Sequence, residues 1–269
     1  MPSASTELAV RVQDLSLTYR TSSETTRLLG TSFLKLRQSS RKRKYVEALR
    51  GVSFEVPKGS VLGIVGRNGS GKSTLLRILS GVLHPTGGSA ELYGRVTPLL
   101  TLGVGFNPML SGRDNILLGG LCGGMSVEET RSKVDDIIEF SGLGDAIDRP
   151  IRTYSNGMYS RLGFSVAALL EPEIILIDEV LAAGDAAFML KSAGKIKQLA
   201  AADTTVIIVS HVMGVLRSLA DHCIWMQEGE ILRSGGAEEV INDYMEAEGL
   251  DRNALDRLDD TLAEWARNY

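Results

Sequence analysis

The hydrophobic pattern changes character along the chain. Residues 9–12, 15–19 and 52–56 are alternating or β-branched runs bounded by turn residues, which predicts strands of an N-terminal antiparallel region. From Val61–Val65 the apolar run becomes continuous and leads through a glycine-rich loop into a helix at 73–80. Similar runs recur at Ile174–Asp178 and 206–210. Unbroken apolar strands are what a parallel sheet covered on both faces requires, so the pattern predicts an α/β fold. Between about 105 and 170 the strand signal fades. Over 126–140, Val127, Val134, Ile137 and Ile138 share a helical face behind Ser126, a good N-cap, which predicts a helical subdomain inserted between sheet strands. Beyond Gly236, Leu255, Leu258, Leu262 and Trp265 recur at helical spacing and predict a tail over 237–269 that packs on its own core or on a partner copy. No internal repeat is present, so a single unit is expected.

Composition narrows this picture. Hydrophobic residues make up 43% and charged residues 23% of the 269 residues, as in ordinary globular proteins. The most apolar region, 166–183, is interrupted by Glu171, Glu173, Asp178 and Glu179, which argues against a spanning helix and leaves membrane work to a partner. Residues 1–7 lack the basic start and apolar stretch of a secretory signal. A net charge of -4 gives no global attraction to nucleic acid. Positive charge is instead local, at Arg41, Lys42, Arg43 and Lys44. This cluster ends an insertion of about 20–47 in which Leu29, Phe33 and Leu36 fall at helical spacing among Arg27, Lys35 and Arg37. Such a basic amphipathic segment suits anionic headgroups; a solvated surface loop has the same composition. Cys122 and Cys223 stand in no metal-ligand spacing and read as buried packing thiols of a reducing compartment.

The chemistry sits at the ends of the apolar runs. Gly66-Arg67-Asn68-Gly69-Ser70-Gly71-Lys72-Ser73-Thr74 fits the Walker A pattern between a buried strand and a helix start. There backbone N–H groups curl around phosphates, Lys72 offsets charge on the β- and γ-phosphates of ATP, and the Ser73 hydroxyl ligates Mg²⁺. Ile174–Asp178 followed by Glu179 is a buried strand ending in two carboxylates. Asp178 is expected in the Mg²⁺ shell and Glu179 as the general base that orients or deprotonates water. Tyr154-Ser155-Asn156-Gly157-Met158 precedes an amphipathic helix with Met158, Leu162, Val166 and Leu169 on one face, whose N-terminus can hold an anion.

In this order the motifs resemble the ATP-binding subunits of ABC transporters over roughly 8–236, with a P-loop NTPase core of ABC type. The resemblance implies an ATP-hydrolysing domain over 1–236 that works as a homodimer, with Ser155, Asn156 and Gly157 of one copy at the γ-phosphate held by the other. It implies that Tyr19 stacks on adenine, where an ordinary strand tyrosine would look the same. Asp185, in Ala183-Gly184-Asp185, would cross the dimer interface, and His211 would contact the γ-phosphate. Asn156 and Met158 depart from the commonest signature. No glutamine occurs between Gln38 and Gln198, so Thr101 or Asn107 lies nearest to the loop glutamine that most members use for metal and water.

Leu99-Leu100-Thr101-Leu102-Gly103-Val104-Gly105-Phe106, Leu110-Ser111-Gly112-Arg113-Asp114-Asn115-Ile116 and the residues after Asp178 resemble ATPases of two-component polysaccharide exporters. That implies two copies of a separate permease, a peripheral place on the cytoplasmic face of the membrane, and lipid-linked cargo such as O-antigen, teichoic acid, capsule or galactan. An exporter of another lipid or small molecule is the alternative. A nucleic-acid-handling ATPase would need coiled coils, zinc modules or paired cassettes, which the sequence lacks.

Overall fold

The computed structural model describes residues 7–21, 44–99, 105–170, 172–178 and 186–250. Strands β1 (Leu8–Thr21) and β2 (Lys44–Pro57) form a long antiparallel hairpin. Thr21 pairs with Lys44 at one end of the hairpin; residues 22–43, which carry most of the basic insertion, lie outside the described residues. Within β1 the register shifts between Val12 and Leu15, where Asp14 has φ 49°. The alternation resets at this bulge, and the sequence pattern accordingly reads as two short strands where the fold has one.

The second sheet supplies the frame of the site. Strand β3 (Val61–Val65) is followed by helix α1 (Lys72–Leu79), then β4 (Gly87–Leu92), which joins the first sheet in the order β2-β1-β4. Strands β5 (Val96–Leu99), β6 (Ile174–Asp178), β7 (Thr205–Val209), β8 (His222–Gln227) and β9 (Glu230–Gly236) join β3 in a six-stranded sheet of order β5-β6-β7-β3-β8-β9. All its pairs are parallel except β8 with β9.

Successive side chains of a strand point to opposite faces, and here both faces are dry. Leu62, Ile64, Leu176, Ile207, Val209 and Ile224 pack with α1 and the inner face of the antiparallel sheet. Val61, Val65, Ile175, Ile177, Val206 and Ile208 pack on the other side, against helices named below. Each fully buried aliphatic side chain contributes about 1.5–3 kcal/mol, so the strand that carries the glycine loop is held from both sides.

Helices α2 (Gly112–Cys122), α3 (Val127–Ser141) and α4 (Asn156–Leu169), with 3-10 turns at Gly144–Asp148 and Ile151–Thr153, are inserted between β5 and β6. Their small core contains Ile116, Val134, Ile137, Ile147 and Leu162. Ser126 and Glu129 form a reciprocal capping box on α3. Val127 is 43% exposed and Ile138 only partly buried, so the buried face of α3 is narrower than the spacing implies.

Helices α5 (Ala186–Ala201), α6 (Met213–Leu219) and α7 (Ala237–Glu248) complete the layer on the far side of the sheet from α1. In α7, Val240, Ile241, Tyr244 and Met245 are buried in that layer, with Trp225 edge-on to Tyr244 at 5.6 Å between centroids. The tail leucines and Trp265 lie outside the described residues. One expectation is corrected: Cys223 is buried, but Cys122, at the last turn of α2, is exposed. Among the described residues no helix is long and apolar enough to cross a membrane.

Candidate nucleotide-binding site

The loop from Gly66 to Gly71 joins β3 to α1 and is shaped by three glycines at positive φ: Gly66 at 146°, Gly69 at 84° and Gly71 at 106°. At Gly66 a Cβ would lie 2.2 Å from the Met226 carbonyl oxygen, and at Gly71 2.7 Å from that of Ala48. The loop is therefore clamped between the end of β8 and β2 at distances only glycine tolerates. Arg67, Asn68 and Gly69 face solvent, whereas Gly66, Ser70 and Lys72 are buried.

No side chain caps the N-terminus of α1, so its first N–H groups face the loop as donors. Ser70 Oγ is buried and has no hydrogen-bond partner among the described residues. Lys72 is 5% exposed, and its Nζ donates to the carbonyls of Gly66 at 2.6 Å and Arg67 at 2.9 Å. A buried ammonium, uncapped helix amides and an orphan hydroxyl form a cradle suited to a polyanion.

Strand pairing brings further polar groups beside this cradle. Ile64 of β3 and Asp178 of β6 both pair with Val209 of β7, so the C-terminal ends of the three strands lie side by side. Asp178 is the partly buried last residue of β6. His211 follows β7 and is exposed, just past Ser210, whose hydroxyl accepts from the Val212 N–H at 3.0 Å. Convergence at carboxyl strand ends is where open α/β sheets bind ligands. Ser73, in the first turn of α1, and Asp178 offer hard oxygen donors of the kind Mg²⁺ takes together with phosphate oxygens. Among the described residues no group of three or more His, Cys, Asp or Glu side chains could hold a metal alone. Glu179, Thr101 and Asp185 lie outside the described residues.

Tyr19 pairs with Val46 near the end of the hairpin, close in register to Ala48, and its ring is partly buried against the core shared with α1. Asn107, the described candidate for the loop glutamine's place, uses its side-chain oxygen to accept from the Met109 N–H at 3.0 Å and so closes a turn.

The Tyr154–Met158 motif is built separately. Ser155 is the N-cap of α4 and accepts from the Met158 N–H at 3.2 Å. Ser155 and Asn156 are exposed, Gly157 partly so. The body of α4 packs on the face of the sheet opposite α1, so the fold does not gather Ser155 into the Gly66–Thr74 cradle. What holds this end is a brace that sequence reasoning met only as a resemblance. The Tyr154 hydroxyl donates to the Ala146 carbonyl at 2.7 Å, and burial, followed by Asp148, pushes its pKa up and keeps it a donor. A Cβ at Gly112 would lie 2.4 Å from that hydroxyl. Asn115, fully buried, accepts from the Asn107 N–H at 2.6 Å and donates to the carbonyls of Asn107, Leu110 and Ser111. An asparagine one turn into a helix, behind a Ser-Gly start, was the available signal. Also unforeseen, Arg67 pairs with Glu248 at the end of α7 at 3.5 Å.

With this geometry in view, the chain matches the family model of the ABC transporter over residues 49–182. It is 43% identical over 205 residues to the O-antigen export system ATP-binding protein RfbB of Klebsiella pneumoniae, covering 76% of this chain and 83% of that one. It is 45% identical over 215 residues to a protein of the same description from Myxococcus xanthus, covering 80% of this chain and 49% of the relative, so the match spans about half of that longer protein. The fold superposes on the dimeric post-hydrolysis structure of the ATP-binding cassette MJ0796 bound to ADP and Pi, with TM-score 0.68 at 22% identity over 85% of this chain and 98% of the other. Loop geometry, strand order and relatives converge, and the chain belongs to the ABC transporter family.

Proposed function

We propose that the chain is the ATP-binding and ATP-hydrolysing subunit of an exporter that moves a lipid-linked cell-surface polysaccharide across the cytoplasmic membrane. Two copies work as a homodimer on the cytoplasmic face, beneath two copies of a separate permease, and no nucleic acid takes part. The observation that carries the reading is the incompleteness of the site in one copy. The cradle with Lys72, Asp178 and His211 occupies the strand ends, while the exposed Ser155 cap belongs to the opposite layer. A second copy supplies the missing half: its Ser155, Asn156 and Gly157 face the γ-phosphate held by the first, and Asp185 lines the same interface. The cargo is argued from the O-antigen export relatives.

In this reading the loop amides from Gly66 to Thr74 and the Lys72 ammonium bind the phosphates, which take over donors now spent on the loop's own carbonyls. Tyr19 offers a π-face to adenine. Glu179 accepts the proton of a water whose oxygen bonds to the γ-phosphorus as the β–γ bridging bond breaks and ADP leaves. His211 donates toward the γ-phosphate. Bound Mg²⁺ would neutralise phosphate charge, held by Ser73 and Asp178 with Thr101 near the attacking water. Loss of the γ-phosphate removes the groups both copies grip, so the closed dimer opens.

The test is made in the source cell. Replacing the chain by Lys72→Ala should leave the polysaccharide assembled inside and absent from the surface. A normal surface coat would contradict the reading, and a coat that stays normal while another surface lipid disappears would move the cargo to that lipid.

A further inference from the structure

Helices α3, α4 and α5 meet at one point, where two cations close the same helix end. Helix α3 stops at Gly142, a left-handed cap at φ 60°, and leaves its last carbonyls in need of donors. Arg161 of α4 donates from Nε to the Ser141 carbonyl at 2.8 Å and from Nη2 to that of Gly142 at 3.3 Å. Lys191 of α5 donates from Nζ to the Phe140 carbonyl at 3.0 Å and reaches that of Glu139 at 3.5 Å. Both are charge-assisted bonds to the negative end of a helix.

The rings beneath tie the same three helices together. Phe140 of α3 stacks on Phe164 of α4 at 6.2 Å, and Phe188 of α5 stands edge-on to both at 6.0 Å. The Lys191 ammonium lies 4.5 Å from the Phe140 ring centre and the Arg161 guanidinium 5.2 Å from that of Phe188. A Cβ at Gly142 would lie 2.4 Å from Arg161 Nη2, so a side chain there would push the guanidinium end aside, and the positive φ favours glycine independently.

The position of this joint gives it a consequence. Arg161 stands about 9 Å along α4 from Ser155 at the rise of an α-helix. Helix α5 begins at Ala186, the residue after Asp185. The joint thus links the helix that presents Ser155 to the helix that continues from Asp185, the two segments assigned above to the partner copy's nucleotide. We infer that Arg161 and Lys191 are positioning residues that fix how the Ser155 end of α4 stands toward a second copy, so that both segments reach it together. The inference rests on the dimer reading of the preceding section.

The experiment uses the full chain carrying Glu179→Gln, with and without a further Lys191→Met, which keeps an apolar stem and removes the ammonium. Sedimentation against ATP concentration should show the dimer forming in the Glu179→Gln chain and requiring roughly tenfold more ATP once Lys191 is lost, the scale of one charge-assisted bond. A fluorescent ATP analogue should bind the single subunit within about twofold of the parent, because the Lys72 cradle lies in another layer. In the otherwise unaltered chain, Lys191→Met should lower kcat several-fold with little change in the binding step, and Lys191→Arg should restore it. Dimerisation and kcat within about twofold of the parent would overturn the inference. So would a joint loss of nucleotide binding and thermal stability in Lys191→Met, which marks a merely structural role. Should the Glu179→Gln chain itself never dimerise with ATP, the dimer reading falls and takes this inference with it, a result distinct from either of the others.

Discussion

Cys223 sits on β8 against Gly63 of β3, where an added Cβ would come 2.5 Å from its sulfur. Burial pushes its thiol up from 9.0 to about 12, against a smaller opposing effect of the Gly63 backbone. The neutral thiol is the form the fold accepts, so its contribution to stability is whole below pH 9.0 and is lost as pH rises toward 12. Cys122 is exposed. Iodoacetamide at pH 8 should therefore add one label to the native chain, at Cys122, and two after unfolding, read by mass spectrometry; native labelling of Cys223 would contradict this assignment of burial. The pair also shows what a sequence tells about single residues. The roles proposed for Gly66–Thr74 could be read because loop chemistry is local: positive φ needs glycine and phosphate needs an ammonium. The exposure of Cys122 depends on what packs over the end of α2, and no local rule supplies that.

The inserted helices turn on Asn115, whose four hydrogen bonds tie the start of α2 to the turn at Asn107. Asn115→Ala leaves one N–H and three carbonyls to find other partners, at a cost of about 4 kcal/mol at roughly 1 kcal/mol for each bond lost. Urea unfolding should show that shift in midpoint; an unchanged midpoint would mean the turn holds itself. Strands buried on both faces, such as Val61–Val65 and Ile174–Asp178, announce themselves by continuous apolar runs. β4 does not, because Gly87–Leu92 holds two glycines, the small Ser89 and Ala90, an exposed Glu91 and only one large apolar residue, the half-buried Leu92, on a sheet edge. β8 and β9 follow a helix and a tight turn, and their antiparallel return gives only short runs. The composition marks the insertion to about 47, whereas β2 starts at Lys44 because backbone pairing with Thr21 reaches the end of the basic run. Pairing needs no apolar side chain, so the pattern could not mark it.

Taken whole, the molecule sets the two groups of candidate site residues in different layers of one sheet, and the proposed phosphate site is divided between them. The donor cradle and the ends of β6 and β7 stand together, and the Ser155 cap projects from the far layer, braced by Tyr154, Asn115 and the joint at Gly142. The order of motifs names the candidate residues; the layering adds that the body of α4, which carries Ser155, and α1, which carries Lys72, pack on opposite faces of the sheet. The most direct measurement is sedimentation velocity of the Glu179→Gln chain with and without ATP. Replacing the proposed base should arrest turnover with the triphosphate intact, and the chain should pass from monomer to dimer only when ATP is present. A chain that stays monomeric at saturating ATP, or that hydrolyses ATP at the parent rate, would contradict the account.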